Sequence, residues 1–131
     1  MSKREPKLYF ADILLAIKKI EKYSSDLTFV KFSKDEKTVD AVVRNFEVLG
    51  EAVNNLSNDI KKNNTNLPWK KIVSMRNKVI HEYFGVDLEI LWQTIKEDLP
   101  EFKSQIISIA SSYYPNDLGL PIGDTSTMEE Y

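Results

Sequence analysis

The 131-residue chain contains no cysteine, which excludes disulfides, thiolate metal sites, iron–sulfur clusters and cysteine nucleophiles together. That absence fits a reducing, cytoplasmic setting. Only four glycines occur, and none sits in a glycine-rich loop able to cradle a phosphate, so a dinucleotide fold and a P-loop are excluded. Histidine is scarcer still. His81 is the only one, so imidazole proton chemistry near pH 7 must run through it. No apolar run approaches the ~18 residues of a membrane helix, and the start MSKREPKLYF lacks the apolar stretch of a secretory signal. Paired-histidine zinc spacing, calcium loops and a serine nucleophile elbow are also missing. The sequence therefore calls for no metal, no cofactor and no membrane.

What is present is a soluble, globular composition of single-domain length, with 42% hydrophobic and 29% charged residues. The net charge of −2 names no partner, but its placement is uneven. Residues 113–131 carry Asp117, Asp124, Glu129 and Glu130 and no basic residue, whereas residues 61–80 carry Lys61, Lys62, Lys70, Lys71, Arg76 and Lys78 and no acidic one. The basic run leads directly into His81. It reads either as a solvated lysine-rich helix face or as a patch attracting a polyanion.

The 3.6-residue period predicts four main amphipathic helices. The first covers residues 6–23, with Pro6 suited to a first turn. A polar connection with a short apolar interlude, Thr28-Phe29-Val30-Lys31-Phe32-Ser33, follows. The second helix starts at 35 or 38 and ends near 58, with Val39, Val42, Val43, Phe46, Leu49, Val53 and Leu56 in one arc. Gly50 lies in that arc and predicts the close approach of another helix, while Arg44, Glu47 and Glu51 form a charged stripe beside it. Residues 61–66 read as a loop. The third helix starts at Leu67-Pro68-Trp69 with Asn66 as a cap and ends near Phe84-Gly85. Asp87 caps the fourth, and Pro100 predicts a kink or a new start at Leu99-Pro100. Trp69 and Trp92 read as core or interface anchors. The expected architecture is an all-α, up-and-down bundle of four main helices over residues 1–112, with residues 113–131 as an acidic, flexible or loosely docked tail.

The third helix contains an anomaly. With Arg76 at zero on the wheel, Tyr83, Ile80, Val73, Ile72 and Val79 all fall within about 60° of it. An unpaired guanidinium at the centre of an apolar arc is costly. Either Glu47 or Glu51 meets it, or the arc faces a polar cleft or a second subunit. His81 lies about 140° away, beside Asn77, so the two share no face of a straight helix. They come together only if the last turn unwinds, if Arg76 curls round the helix, or if a second copy completes the site.

An imidazole that moves protons, a guanidinium that holds phosphate and a tyrosine hydroxyl together match RNA cleavage. The imidazole assists attack by the ribose 2′-OH, and the cation stabilises the crowded dianionic transition state. Arg76, His81 and Tyr83 are the candidate residues. Asn77, Lys78, Glu51, Lys70 and Lys71 are candidates for support or RNA contact. Taken singly, each has a structural reading: a solvated His near a helix end, a core Tyr, an Arg paired with a Glu.

The segment Arg76-Asn77-Lys78-Val79-Ile80-His81-Glu82-Tyr83 closely resembles the signature of the HepT-like toxins of the HEPN superfamily: Arg, four residues, His, one residue, Tyr. The flanking text agrees, with Asp40-Ala41-Val42-Val43-Arg44-Asn45, Leu49-Gly50-Glu51-Ala52, Leu67-Pro68-Trp69, Phe84-Gly85-Val86-Asp87, Trp92 and Asp98-Leu99-Pro100 in order. The resemblance implies a homodimeric HEPN bundle with the two signature segments near the dimer interface. It implies a metal-independent endoribonuclease, the toxin of a type VII toxin–antitoxin system, with Arg76 and His81 catalytic. It further implies an MntA-like nucleotidyltransferase antitoxin that transfers AMP to Tyr83. A bulky anion there would block RNA and repel its phosphates. The competing expectation is a non-catalytic helical subunit that binds a minimal nucleotidyltransferase.

Overall fold

The computed structural model describes residues 5–81 and 87–115, together with the side chains of those residues other than 75 and 78–81. Among the described residues, seven α-helices and one π turn follow one another, with no strand. They are α1 (Pro6–Ser24), α2 (Phe29–Lys34), α3 (Glu36–Asn55), α4 (Asn58–Asn63), α5 (Trp69–His81) and α6 (Leu88–Gln93), then the π turn (Thr94–Asp98) and α7 (Leu99–Tyr113). This is the all-α bundle of four main helices that the periodicity predicts. α1 packs most extensively on α3, α3 on α5, and α7 on α1 and the π turn. Phe10, Ile13, Ile17 and Ile20 of α1 meet Val42, Phe46, Leu49 and Val53 of α3 in a core closed by Leu91, Leu99, Phe102 and Ile106. None of the described helices is long and apolar enough to cross a membrane.

The two long central helices begin and end close to where their apolar stripes do. Pro6 occupies the first turn of α1. Asp35 caps α3, accepting the Thr38 amide at 3.1 Å and the Thr38 hydroxyl at 2.7 Å. The hydroxyl first, then the amide, hold the Asp35 carboxyl below its ordinary value of 3.8. A depressed carboxylate contributes stability that is present above 3.8 and lost as pH falls through the folded value. We therefore expect Asp35→Asn to lower the thermal midpoint at pH 7 and to flatten its fall below pH 4, read by circular dichroism melts.

Two stretches expected to be connections are helical. Residues 29–34 form α2 because Thr28 Oγ1 accepts the Lys31 amide at 3.2 Å and Phe32 is fully buried, its ring 5.0 Å from that of Trp92. Residues 58–63 form α4, so α3 stops at Asn55 rather than at 58, and Lys61 and Lys62 lie on a helix rather than in a loop. Ser57 Oγ caps α4 by accepting the Ile60 amide at 3.3 Å, and Ile60 anchors it in the core. Each is too short for a 3.6-residue period to declare itself.

α5 opens at Trp69, with the Pro68 carbonyl accepting the Ile72 amide at 3.2 Å, so Asn66 lies too far upstream to be its cap. Trp69 is a core anchor, edge-on to Phe102 at 6.1 Å, with its indole N–H donated to the Asn64 carbonyl at 2.9 Å. The expected end of this helix at Phe84-Gly85 lies outside the described residues. Asp87 caps α6 as expected, accepting the amides of Glu89 at 2.9 Å and Ile90 at 3.3 Å. The disturbance expected from Pro100 appears one turn earlier, as the π turn whose widened step lets the Leu99 amide reach the Thr94 carbonyl. α7 ends at Tyr113, and the rings of Tyr113 and Tyr114 rest on Phe10 at 6.3 and 6.4 Å. Residues 116–131 of the expected tail lie outside the described residues.

Candidate active site

Arg76 reaches its position because α3 has no side chain at Gly50. A Cβ built on Gly50 would overlap Cβ and Cγ of Arg76 and lie 3.2 Å from its Cδ, so the arginine stem passes directly over the glycine backbone. This is the close helix approach that Gly50 predicts. The guanidinium emerges beyond it, a quarter exposed. Nη2 donates to Glu51 Oε2 at 2.7 Å and Nη1 donates to Asn77 Oδ1 at 2.8 Å, while Nε is buried and finds no acceptor among the described residues.

Of the three ways to accommodate a cation on that apolar arc, the structure uses the carboxylate, and Glu51 rather than Glu47 supplies it. Of the apolar residues on the arc, Ile72 is buried and Val73 packs at the core margin, while the side chains of Val79 and Ile80 and the whole of Tyr83 lie outside the described residues. Glu51 is more than half exposed. Exposed pairs of this kind contribute about 0–1 kcal/mol, so the carboxylate orients the guanidinium without locking it. A phosphodiester anion can displace it at little cost. A buried Nε without a partner among the described residues is a desolvation cost that the Glu51 and Asn77 contacts do not offset.

The remaining candidates divide. Lys71 is already engaged, its ammonium 3.0 Å from Asp98 Oδ2. Lys70 is exposed and pairs with no carboxylate among the described residues. α5 stays helical through His81. The backbone therefore keeps Arg76 and His81 about 140° apart and about 7.5 Å apart along the axis. The helix is regular between the two residues, and the expected unwinding near Gly85 lies outside the described residues. The side chains of His81 and Lys78, and the whole of Tyr83, lie outside the described residues.

The family profile described as "Ribonuclease HepT-like" matches residues 13–109, which includes Gly50, Glu51, Arg76 and His81. The chain belongs to the HepT-like ribonuclease family. A protein named "Probable ribonuclease HepT" from Thermococcus cleftensis is 45% identical over 103 residues, covering 79% of this chain and 94% of its own. A Methanocaldococcus jannaschii protein, named as a candidate RNase, is 37% identical over 106 residues, 81% of this chain and 97% of the relative. A similarly named protein of Caldanaerobacter subterraneus subsp. tengcongensis is 38% identical over 106 residues, 81% of this chain and 95% of the relative. No solved structure matches the chain at a significant level. Two neighbours of Glu51 and Arg76, Asn54 and Ser74, carry no signal in the sequence, although each lies within one helical turn of a residue that does.

Proposed function

We propose that this HepT-like chain is a metal-independent endoribonuclease, the toxin of a type VII toxin–antitoxin system, working as a homodimer. The observation that carries the reading is Arg76: a guanidinium on an otherwise apolar helix face, threaded over Gly50 to the surface, five residues before the only histidine. His81 takes the proton of the ribose 2′-OH as that oxygen attacks the adjacent phosphorus; the bond to the 5′ oxygen breaks, leaving a 2′,3′-cyclic phosphate, and the departing 5′ oxygen takes a proton from water. Arg76 spreads its N–H donors over the phosphorane oxygens, where charge accumulates. Glu51 and Asn77 hold the guanidinium in plane until RNA arrives. Because positions 76 and 81 lie about 140° apart on a regular helix, a second copy of α5 supplies the histidine that the first cannot.

An MntA-like nucleotidyltransferase would silence this site by moving AMP from ATP to the Tyr83 hydroxyl, placing a phosphodiester anion where substrate phosphate must bind. The test is RNA digestion by the purified chain in EDTA, before and after incubation with ATP and its cognate nucleotidyltransferase. The expected result is cleavage without metal, lost as the intact mass rises by one or more adenylyl groups, and Tyr83→Phe should block the mass change. A protein that binds the nucleotidyltransferase yet never cleaves RNA, even fully unmodified, would be the non-catalytic subunit instead.

A further inference from the structure

The proposed chemistry leaves unused a cleft of about 440 Å³, lined by Asn54, Lys61, Trp69, Lys70, Val73 and Ser74. Its walls come from the end of α3, from α4 and from the first turns of α5. The lining is mainly apolar, yet two ammonium groups stand on it. Three cations outside the cleft are paired with carboxylates: Arg76 with Glu51, Lys71 with Asp98 and Lys103 with Glu21. Lys61 and Lys70 meet no carboxylate among the described residues. Lys61 Nζ donates instead to the neutral carbonyl of Asn54 at 3.3 Å, and partial burial lowers its pKa. A partly desolvated cation without a counter-charge gains from an incoming anion.

The position of the cleft says which anion. Asn54 follows Glu51 by three residues on α3, and Val73 precedes Arg76 by three on α5. Both walls therefore lead, over three residues or about 4.5 Å of helix axis, toward Arg76 and its Glu51 partner. Gly50 against Arg76 and Asn54 beside Val73 also show that α3 and α5 run in opposite senses, so the path between cleft and guanidinium is straight. A ligand that presents a flat apolar ring and a phosphate at each repeat suits an apolar wall flanked by ammonium groups. A paired base has its faces covered by the stack, so a duplex offers no such ring.

We propose that the α3–α4–α5 cleft is a nucleobase subsite for single-stranded RNA, holding the base next to the phosphate gripped by Arg76, with Lys61 and Lys70 on the adjoining backbone. It rests on the ribonuclease reading above. Asn54 and Ser74 offer an amide and a hydroxyl to the edge of the base, and these give the cleavage site its local sequence preference.

The test measures binding apart from cleavage, using the full chain and a 2′-O-methyl oligonucleotide, which lacks the attacking hydroxyl. Lys61→Ala combined with Lys70→Ala should weaken binding roughly tenfold and lower the salt slope by about 0.7 for each phosphate no longer neutralised. Lys34→Ala, on an exposed residue of α2 outside both the basic run and the cleft, should change neither. Ser74→Trp, which fills the cleft and removes no charge, should weaken single-stranded binding and leave the salt slope as it was. Melting curves establish that each variant is folded. Affinity of the double variant and of Ser74→Trp within twofold of wild type overturns the proposal. So does a change in oligomeric state without a change in oligonucleotide binding, which would give the cleft to a second copy of the chain. If the binding pattern holds but no RNA is cleaved, the subsite stands and the nuclease reading falls. If cleavage depends on Arg76 while binding ignores the cleft, the reverse is true.

Discussion

Arg76→Ala is expected to lower RNA cleavage in EDTA by about 10²–10³-fold, the usual loss when one preorganised donor to a developing oxyanion is removed. His81→Ala should cost a comparable factor through proton transfer, about 10²–10⁴-fold. The two losses have different signatures. Arg76 carries a fixed charge, so its variant should keep the wild-type pH profile at a lower level, whereas His81→Ala should erase the limb that titrates near neutrality. Arg76→Lys should recover little, because a point charge cannot reproduce the planar fork that meets Glu51 and Asn77 together. Loss of folding is a poor account of such an effect: the guanidinium end is at the surface, and its pair with the exposed Glu51 contributes about 1 kcal/mol at most. Arg76→Gln keeps most of the stem over Gly50 and separates the two explanations. Equal cleavage by wild type, Arg76→Gln and His81→Ala would remove the assigned site.

The long helices are legible in the sequence because their apolar stripes repeat over many turns: α1 and α3 each extend about five turns and bury one face. Single-turn helices leave no such trace. α2 and α4 exist through a cap and one buried ring or branch each, Thr28 with Phe32 and Ser57 with Ile60, and only tertiary packing makes those anchors count. The site shows the same division. The helix wheel places Arg76 against the apolar arc and requires a partner for it, but Glu47 and Glu51 lie on one stripe a turn apart. Choosing between them needs the relative shift of α3 and α5, which no local pattern encodes. Gly50 is where the two levels meet, since a missing side chain on one helix fixes which residue of the other crosses it. The cleft beside Lys61 is invisible in the sequence for a further reason: its lysine reads as part of a loop, and its walls are contributed by three elements.

Gly50→Ala isolates that crossing. Helix propensity alone predicts a gain, since glycine in a helix interior costs about 0.5–1 kcal/mol relative to alanine. Against it stands the overlap of the new Cβ with Cβ and Cγ of Arg76. Those atoms are tied to the α5 backbone and cannot swing aside as the end of a long side chain could. Relief requires α5 to move away from α3, and overpacking of this kind costs about 1–3 kcal/mol. The overlap should win, lowering the thermal midpoint by a few degrees for each net kcal/mol of destabilisation. The larger consequence is catalytic. Displacing α5 carries the guanidinium with it, and a misplacement near 1 Å can cost about 10²-fold in rate. Gly50→Ala should therefore cleave RNA poorly even at temperatures where its circular dichroism is that of the folded wild type. A Gly50→Ala protein that melts higher and cleaves normally would show that the helix contact does not set the position of Arg76.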